Sequence, residues 1–424
     1  MAVPVGSPRD PYADALRACA LLVVVLGHWV ATLPRVVGGR LVETDHLLAA
    51  WPSAGYLTWV VQVVPLFVFV SAAVSAEGVA RRLGRGAQLQ WWASRALGLA
   101  RPTVTYLAAL VALALLAMLT GGRLLSVFNQ SLTIHLWFLL MLLTVQALLP
   151  WCLRLDRRFG IAAVLGLVAL AAALDVLRAG AGTPAELRWL GRHVAASPPG
   201  VAWLNMLVVW LVPQQLGIAW KRGRFGGVGA GLGFLVLGSA WLLLALGSGY
   251  PVGMVGVALA GNNMLPPTLA LVGVMWLQVG TVLAFEPLAR RLLAGRALGR
   301  AVAVLGALGM PLYLWHKLAE LPAAWLGERL GLPIDAGLPG EPGFWPGRAG
   351  WIALCLLVVA PLIALVVRFE LRRERDVPAS GRLALVLMGG TALYLGLAAA
   401  LAWGVWPGAV AGLAAVAFAS WRLR

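Results

Sequence analysis

Apolar runs of about twenty residues recur from one end of this chain to the other, with short polar segments between them, and leave it one broad choice of fold. At 1.5 Å of rise per residue each run is long enough to cross the hydrocarbon core of a bilayer as a helix. Twelve spans are expected, near 13–34, 54–77, 97–119, 131–150, 159–177, 200–220, 228–247, 267–286, 301–321, 350–369, 383–403 and 404–421. Of the 424 residues 61% are hydrophobic and 12% charged, and the mean hydropathy is +0.88. A water-soluble core could not enclose that much apolar surface, so the expected class is an all-α polytopic membrane protein.

The formal net charge of +17 would suggest a nucleic-acid partner in a soluble protein. Position gives another answer. With the N-terminus placed in the cytoplasm, 24 of the 33 Lys and Arg residues fall in cytoplasmic segments. The positive-inside rule accounts for that split, with both termini cytoplasmic and no nucleic acid. Only Lys221 and Lys317 are lysines, and the arginine, alanine and glycine richness suggests a GC-rich bacterial genome. Cys19, Cys152 and Cys355 lie in or beside apolar runs without paired spacing, so they are expected as small core residues and not as a disulfide or zinc framework. Asp14 and Arg17, with no small-residue cleavage site before Pro34, mark the first run as a retained helix and not a signal peptide.

No separate soluble domain is expected. The Gly- and Pro-rich stretch 322–350 reads as an external loop with a short helix near 323–330. Segments 81–95 and 288–300 mix arginine with apolar residues as helices lying on a lipid surface do. They suit headgroup anchoring, or capture of an anionic cytoplasmic ligand by clustered guanidinium groups.

Polar side chains at membrane depth are costly and point to function. Asp14, Arg17 and His28 are aligned on the first span, because eleven residues at about 100° each return almost to the starting face. His28 then lies in the outer half, roughly 20 Å beyond Asp14. His135 opens the fourth span from outside, followed by Trp137, and His316 sits near the outer end of the ninth, after Tyr313. His46 and His193 fall in external loops, so all five histidines are external. A single membrane histidine is commonly a plain hydrogen-bonding residue, and His135 and His193 fit that description. His28 is harder to explain by packing, and an imidazole neutral near pH 7 can take a proton from a hydroxyl. No ligand-spaced pair on one helix supports a metal site among His28, His135 and His316. Asp175 and Glu320 are expected to reach the interface at outer helix ends, and Glu77 and Glu286 at inner ends. Gln214-Gln215 and Asn262-Asn263 could line a cavity or simply bond neighbouring helices.

Asp14-x-x-Arg17 followed eleven residues later by His28 resembles the first-helix signature of membrane acyltransferase family 3. The order of later segments agrees: Phe67-Val68-Phe69-Val70-Ser71, Leu136-Trp137-Phe138-Leu139, Gln215-Leu216-Gly217 and Tyr313-Leu314-Trp315-His316. Two departures stand out. Ala72 replaces the usual Gly after the serine, and the Arg-x-x-Arg expected before the third helix is represented by Arg95 and Arg101, or by Arg82-x-x-Arg85. The resemblance covers about ten spans. It implies an acyltransferase-like domain at 1–370 and an extension at 371–424 carrying two further transmembrane helices. An appended extracellular esterase-like domain, present in some members, is not expected.

The resemblance further implies a membrane O-acyltransferase that moves an acyl group, most simply acetyl, from cytoplasmic acyl-CoA to a hydroxyl of a carbohydrate or glycolipid of the cell envelope. His28 would be the catalytic residue, organised with Arg17 and Asp14. Arg17, Arg95 and Arg101 would meet the donor, while His316, Trp137, His135 and Tyr313 would line the acceptor side. Acyl-CoA enters as a substrate, with no tightly bound cofactor and no metal, and membrane lipid surrounds the chain. The competing expectation is a transporter or flippase for a polar or lipid-linked substrate, although the two halves show no internal duplication.

Overall fold

The computed structural model describes residues 10–84, 86–180, 187–189, 192–194, 200–255, 262–335, 337–371 and 380–424. Helix α1 (Pro11–Ala31) starts at Asp10, whose carboxylate accepts the Tyr12 N–H at 3.0 Å while Pro11 occupies the first helical position. The chain then forms a hairpin of β1 (Thr32–Val37) and β2 (Arg40–His46). The two residues between them, Gly38 and Gly39, both have positive φ, which a tight two-residue hairpin turn requires and glycine supplies without strain. This hairpin was not expected in an all-helical chain.

Helices α2 (Val64–Leu83), α3 (Gln88–Thr120), α4 (Trp137–Ala147), α5 (Leu149–Phe159) and α6 (Ala162–Gly180) follow, then a second short hairpin, β3 (Leu187–Trp189) and β4 (Arg192–Val194). The remainder is α7 (Asn205–Lys221), α8 (Gly227–Gly247), α9 (Leu269–Leu293), α10 (Arg296–Ala307), α11 (Gly309–Trp315), α12 (Glu320–Leu330), α13 (Phe344–Leu371), α14 (Leu383–Trp403) and α15 (Val410–Arg422). Among the described residues eight helices are long and apolar enough to cross a membrane, or ten if each of two bent pairs makes one span. The class is therefore the expected all-α membrane protein. Segment Leu383–Arg422 counts once in that number, yet it folds as α14 and α15, parted by the non-helical backbone of Trp406.

Both bent pairs have a chemical cause. Residues 131–159 bend by 48° just before Pro150, and residues 296–315 by 55° just before Pro311. Each proline lacks the N–H that would continue the helical ladder, and its ring crowds the preceding turn.

Close helix contacts are made where side chains are smallest. A Cβ on Gly217 of α7 would lie 2.1 Å from the Phe69 carbonyl oxygen of α2, so these helices meet backbone to backbone. Gly231 and Gly238 of α8 face Gly280 and Gly273 of α9 in the same way, and Gly396 of α14 faces Gly412 of α15. The α14–α15 hairpin lies on α3, with Gly390 against the Trp92 ring.

Ion pairs gather the helix ends into two groups. At one end Arg290 meets Asp10 at 2.9 Å, Lys221 meets Glu77 at 3.1 Å, and Arg222 and Arg224 meet the buried Asp156 at 3.0 and 2.8 Å. The β1–β2 hairpin forms the opposite end, tied down by Asp335, which accepts the Val36 N–H, and by Glu328, which accepts the Leu41 N–H and pairs with Arg123.

Several expectations are corrected. Segments 81–95 and 288–300 are not separate surface helices. They are the last and first turns of consecutive helices joined by short glycine-bearing turns, α2 to α3 and α9 to α10. Glu320 and Asp175 do not reach the interface; both are buried and bonded. Cys152 and Cys355 are core residues, but Cys19 is exposed on the outer face of α1. The amides settle as structural. Gln214 and Gln215 bond the backbone of Val145 and Cys152, and Asn262 and Asn263 build the turn before α9.

Candidate active site

His28 lies on the last turn of α1, and α11 ends directly against it. The Nδ1 of His28 stands 2.7 Å from the Nε2 of His316, with the two rings nearly parallel. On its far side His316 Nδ1 is 2.8 Å from the Tyr313 carbonyl oxygen and 3.2 Å from that of Leu312. A carbonyl can only accept, so His316 carries its hydrogen on Nδ1 and has a lone pair on Nε2. With both rings neutral, His28 must then donate from Nδ1 into that lone pair. The hydrogen-bond network thus assigns the tautomer of both rings and leaves His28 Nε2 as a free proton acceptor.

Neighbouring contacts fix this pair in place. Trp29 Nε1 donates to the His316 carbonyl at 3.0 Å, and the Thr32 hydroxyl donates to the His28 carbonyl at 3.0 Å. Beneath them lies a buried ion pair, Lys317 Nζ at 2.6 and 2.7 Å from the two oxygens of Glu320, with the Thr32 hydroxyl 3.2 Å from the ammonium. Arg348, on the second turn of α13, donates from Nη2 to the Trp29 carbonyl. None of Lys317, Glu320 or Arg348 was expected at the site. Lys317 and Glu320 could have been found, because opposite charges three apart inside an apolar run form a pair on one helix face.

His135 completes a trio. Its ring lies 5.4 Å from that of His316, edge-on, and 5.5 Å from those of both Tyr106 and Tyr313. The Tyr313 hydroxyl donates to the His135 carbonyl. Both ring nitrogens of His135 are buried. With the Leu314 backbone beside it, this buried imidazole is held among aromatic rings next to the His28–His316 pair. Trp137 stands further off, edge-on to Phe138 and tilted against Trp210. His46 closes the nearby end of β2, its Nδ1 accepting the Leu48 N–H; burial, followed by the charge of Lys317, pushes its pKa down to about 4. The side chain of His193 lies outside the described residues. Among the described residues no group of three His, Cys, Asp or Glu is placed to hold a metal ion.

The residues expected at the donor end stand apart from this cluster. Arg17 pairs with Asp14 at 3.5 Å, and eleven residues of α1 separate it from His28, about 16 Å of rise. Arg95 donates to the Ser75 hydroxyl at 3.2 Å, while the Nε of Arg101 is buried without a partner. Six residues apart on α3, these two arginines point about 120° away from one another. Arg85, the second half of the alternative Arg-x-x-Arg, lies outside the described residues.

A family model described as an acyltransferase domain matches residues 10–367. The chain belongs to acyltransferase family 3. No curated protein and no solved structure matched it. This acyltransferase is thus a membrane enzyme of the O-acyltransferase type, and nothing in its fold or in the comparison favours a transport path. The match begins at the cap of α1 and stops inside α13, so α14 and α15 lie beyond it. The motif segments of the acyltransferase acquire physical meanings. Phe69 and Gly217 are the point of backbone contact between α2 and α7, and Tyr313 and His316 are the supports of His28.

Proposed function

We propose that this protein transfers an acyl group, most simply acetyl, from cytoplasmic acyl-CoA to a hydroxyl of a cell-envelope carbohydrate or glycolipid. It would act in a bacterial inner membrane with both termini cytoplasmic, residues 1–370 forming the catalytic domain and 371–424 an added helical hairpin. The observation that carries the reading is the 2.7 Å contact between His28 and His316, which leaves Nε2 of His28 able to accept a proton. That nitrogen takes the proton of the acceptor hydroxyl as its oxygen attacks the thioester carbonyl carbon. The carbon–sulfur bond then breaks, and the proton passes from His28 to the leaving CoA thiolate. His316 positions His28, and His135 lines the acceptor side beside Tyr313. Arg17, Arg95 and Arg101 hold the donor's phosphates at the other end, and Asp14 orients Arg17.

The test is transfer of labelled acetyl from acetyl-CoA to envelope carbohydrate in membranes carrying wild type or His28→Gln. General-base catalysis is worth about 10²–10⁴-fold in rate, and glutamine keeps the size and polarity of the ring without its basicity. A loss of that order, with CoA binding retained, is expected. Full activity in His28→Gln would refute the assignment.

A further inference from the structure

Arg348 carries more charge than its surroundings answer. It is only 3% exposed, and its Nε and Nη1 are buried with no hydrogen-bond partner. The carboxylate whose field reaches it is Glu320, and both oxygens of Glu320 are already taken by Lys317 at 2.6 and 2.7 Å. Lys317 and Glu320 cancel, so the guanidinium remains as a buried excess cation. It also sits on the second turn of α13, where the positive end of the helix dipole adds to its charge and does not offset it. Burying an uncompensated cation costs several kcal/mol and is tolerated where an anion completes the site.

The fork of the side chain indicates what kind of anion. Nη2 bears two hydrogens, one on each edge of the guanidinium. The Trp29 carbonyl occupies one of them. Whichever it takes, the opposite edge keeps two parallel N–H groups, the arrangement that matches the two oxygens of a carboxylate or phosphate. A single oxyanion would use only one. The anchoring carbonyl belongs to Trp29, the residue next to His28 on α1.

We infer that Arg348 is an acceptor-recognition residue that binds an oxyacid group, carboxylate or phosphate, carried by the molecule whose hydroxyl His28 deprotonates. The inference rests on the external acceptor of the proposed function, and it narrows that acceptor to an acidic one.

The test is direct binding to the purified full chain in neutral detergent, by microscale thermophoresis, with methyl glucuronide, glucose 1-phosphate and the neutral methyl glucoside as probes. In wild type at least one acidic probe should bind roughly ten- to hundredfold more tightly than the neutral one, the range of a charge-assisted contact. Arg348→Gln should abolish that preference, and Arg348→Lys, which keeps the charge and loses the fork, should retain part of it. Preference for the glucuronide identifies a uronate-type acceptor, and preference for the phosphate a phosphosugar. Phosphate binding that disappears on adding phosphatidylglycerol vesicles would assign the site to a lipid headgroup and overturn the acceptor role. Equal binding of acidic and neutral probes, no acidic binding, or a preference that persists in Arg348→Gln would also overturn it. No donor is present in this assay, so its failure is separate from failure of the acyltransfer reaction, which acetyl-CoA consumption reports.

Discussion

Replacing His316 by leucine tests whether the second histidine matters through the first. Leucine fills much of the same volume but offers nothing to the Nδ1–H of His28, so the 2.7 Å bond is lost. A neutral hydrogen bond contributes about 1 kcal/mol net, and immobilising a side chain costs about 0.5–1.5 kcal/mol. His28 then divides its hydrogen between two nitrogens and its ring between orientations. Together these amount to about 1.5–2.5 kcal/mol of lost preorganisation, or roughly ten- to hundredfold in rate. The expected loss falls in kcat, because the proposed acyl-CoA site lies at the far end of α1, and KM for acetyl-CoA should hold. His316→Gln can set a carbonyl oxygen where Nε2 stood and should recover part of the rate. Initial rates of labelled acetyl transfer over a range of acetyl-CoA concentrations, normalised to folded protein by fluorescence-detected size exclusion, separate the two parameters. Wild-type kcat in His316→Leu, or a change confined to KM, would refute the tautomer argument.

Arg17→Ala and Arg101→Ala should each weaken CoA binding severalfold by titration calorimetry while the protein stays folded; unchanged affinity in both moves the donor site to the arginines at 290–300. Gly217→Ala forces a methyl group to 2.1 Å from the Phe69 carbonyl and should destabilise the bundle by about 1–3 kcal/mol in a detergent melt. Gly233→Ala on α8, with open space around it, should be neutral or stabilising by about 0.5–1 kcal/mol. The folded His46 ring titrates lower than the unfolded one, so the unfolded chain binds protons first. Its contribution is therefore complete above about pH 6.5 and is lost as the pH falls toward 4, up to about 3 kcal/mol. The drop in melting temperature between pH 7 and pH 5 should shrink in His46→Gln, and an equal drop would show that another group is responsible.

The membrane class was legible because a bilayer asks only for length and apolarity, but the number of spans was not: eight to ten stand among the described residues against the twelve expected. The alignment of Asp14, Arg17 and His28 was legible for a similar reason, since helical periodicity is local. His28 and His316 are 288 residues apart, and no periodicity links them. Their contact depends on the bend before Pro311, which aims α11 at the end of α1. The β1–β2 hairpin did leave a signal, Gly38-Gly39 between runs of Val and Thr, but it was masked by the expectation of loops between helices. Glu320 was misplaced because a carboxylate at a helix end usually finds water, and here Lys317 one turn earlier keeps it inside. Arg348 left no signal in the sequence, because only the packing of α13 against α1 buries it.

The bond between His28 and His316 also bears on how the enzyme is made. Translation and insertion proceed from the N-terminus, so α1 enters the membrane early with its histidine unsupported. The partner that fixes the tautomer of His28 arrives 288 residues later. On the proposed roles, the growing chain during that interval already carries the donor arginines Arg17, Arg95 and Arg101 but no ordered base. Ribosome-bound or truncated chains ending before α11 should bind acyl-CoA and spare it from wasteful hydrolysis, and catalytic competence becomes a property that only a chain inserted past residue 316 acquires.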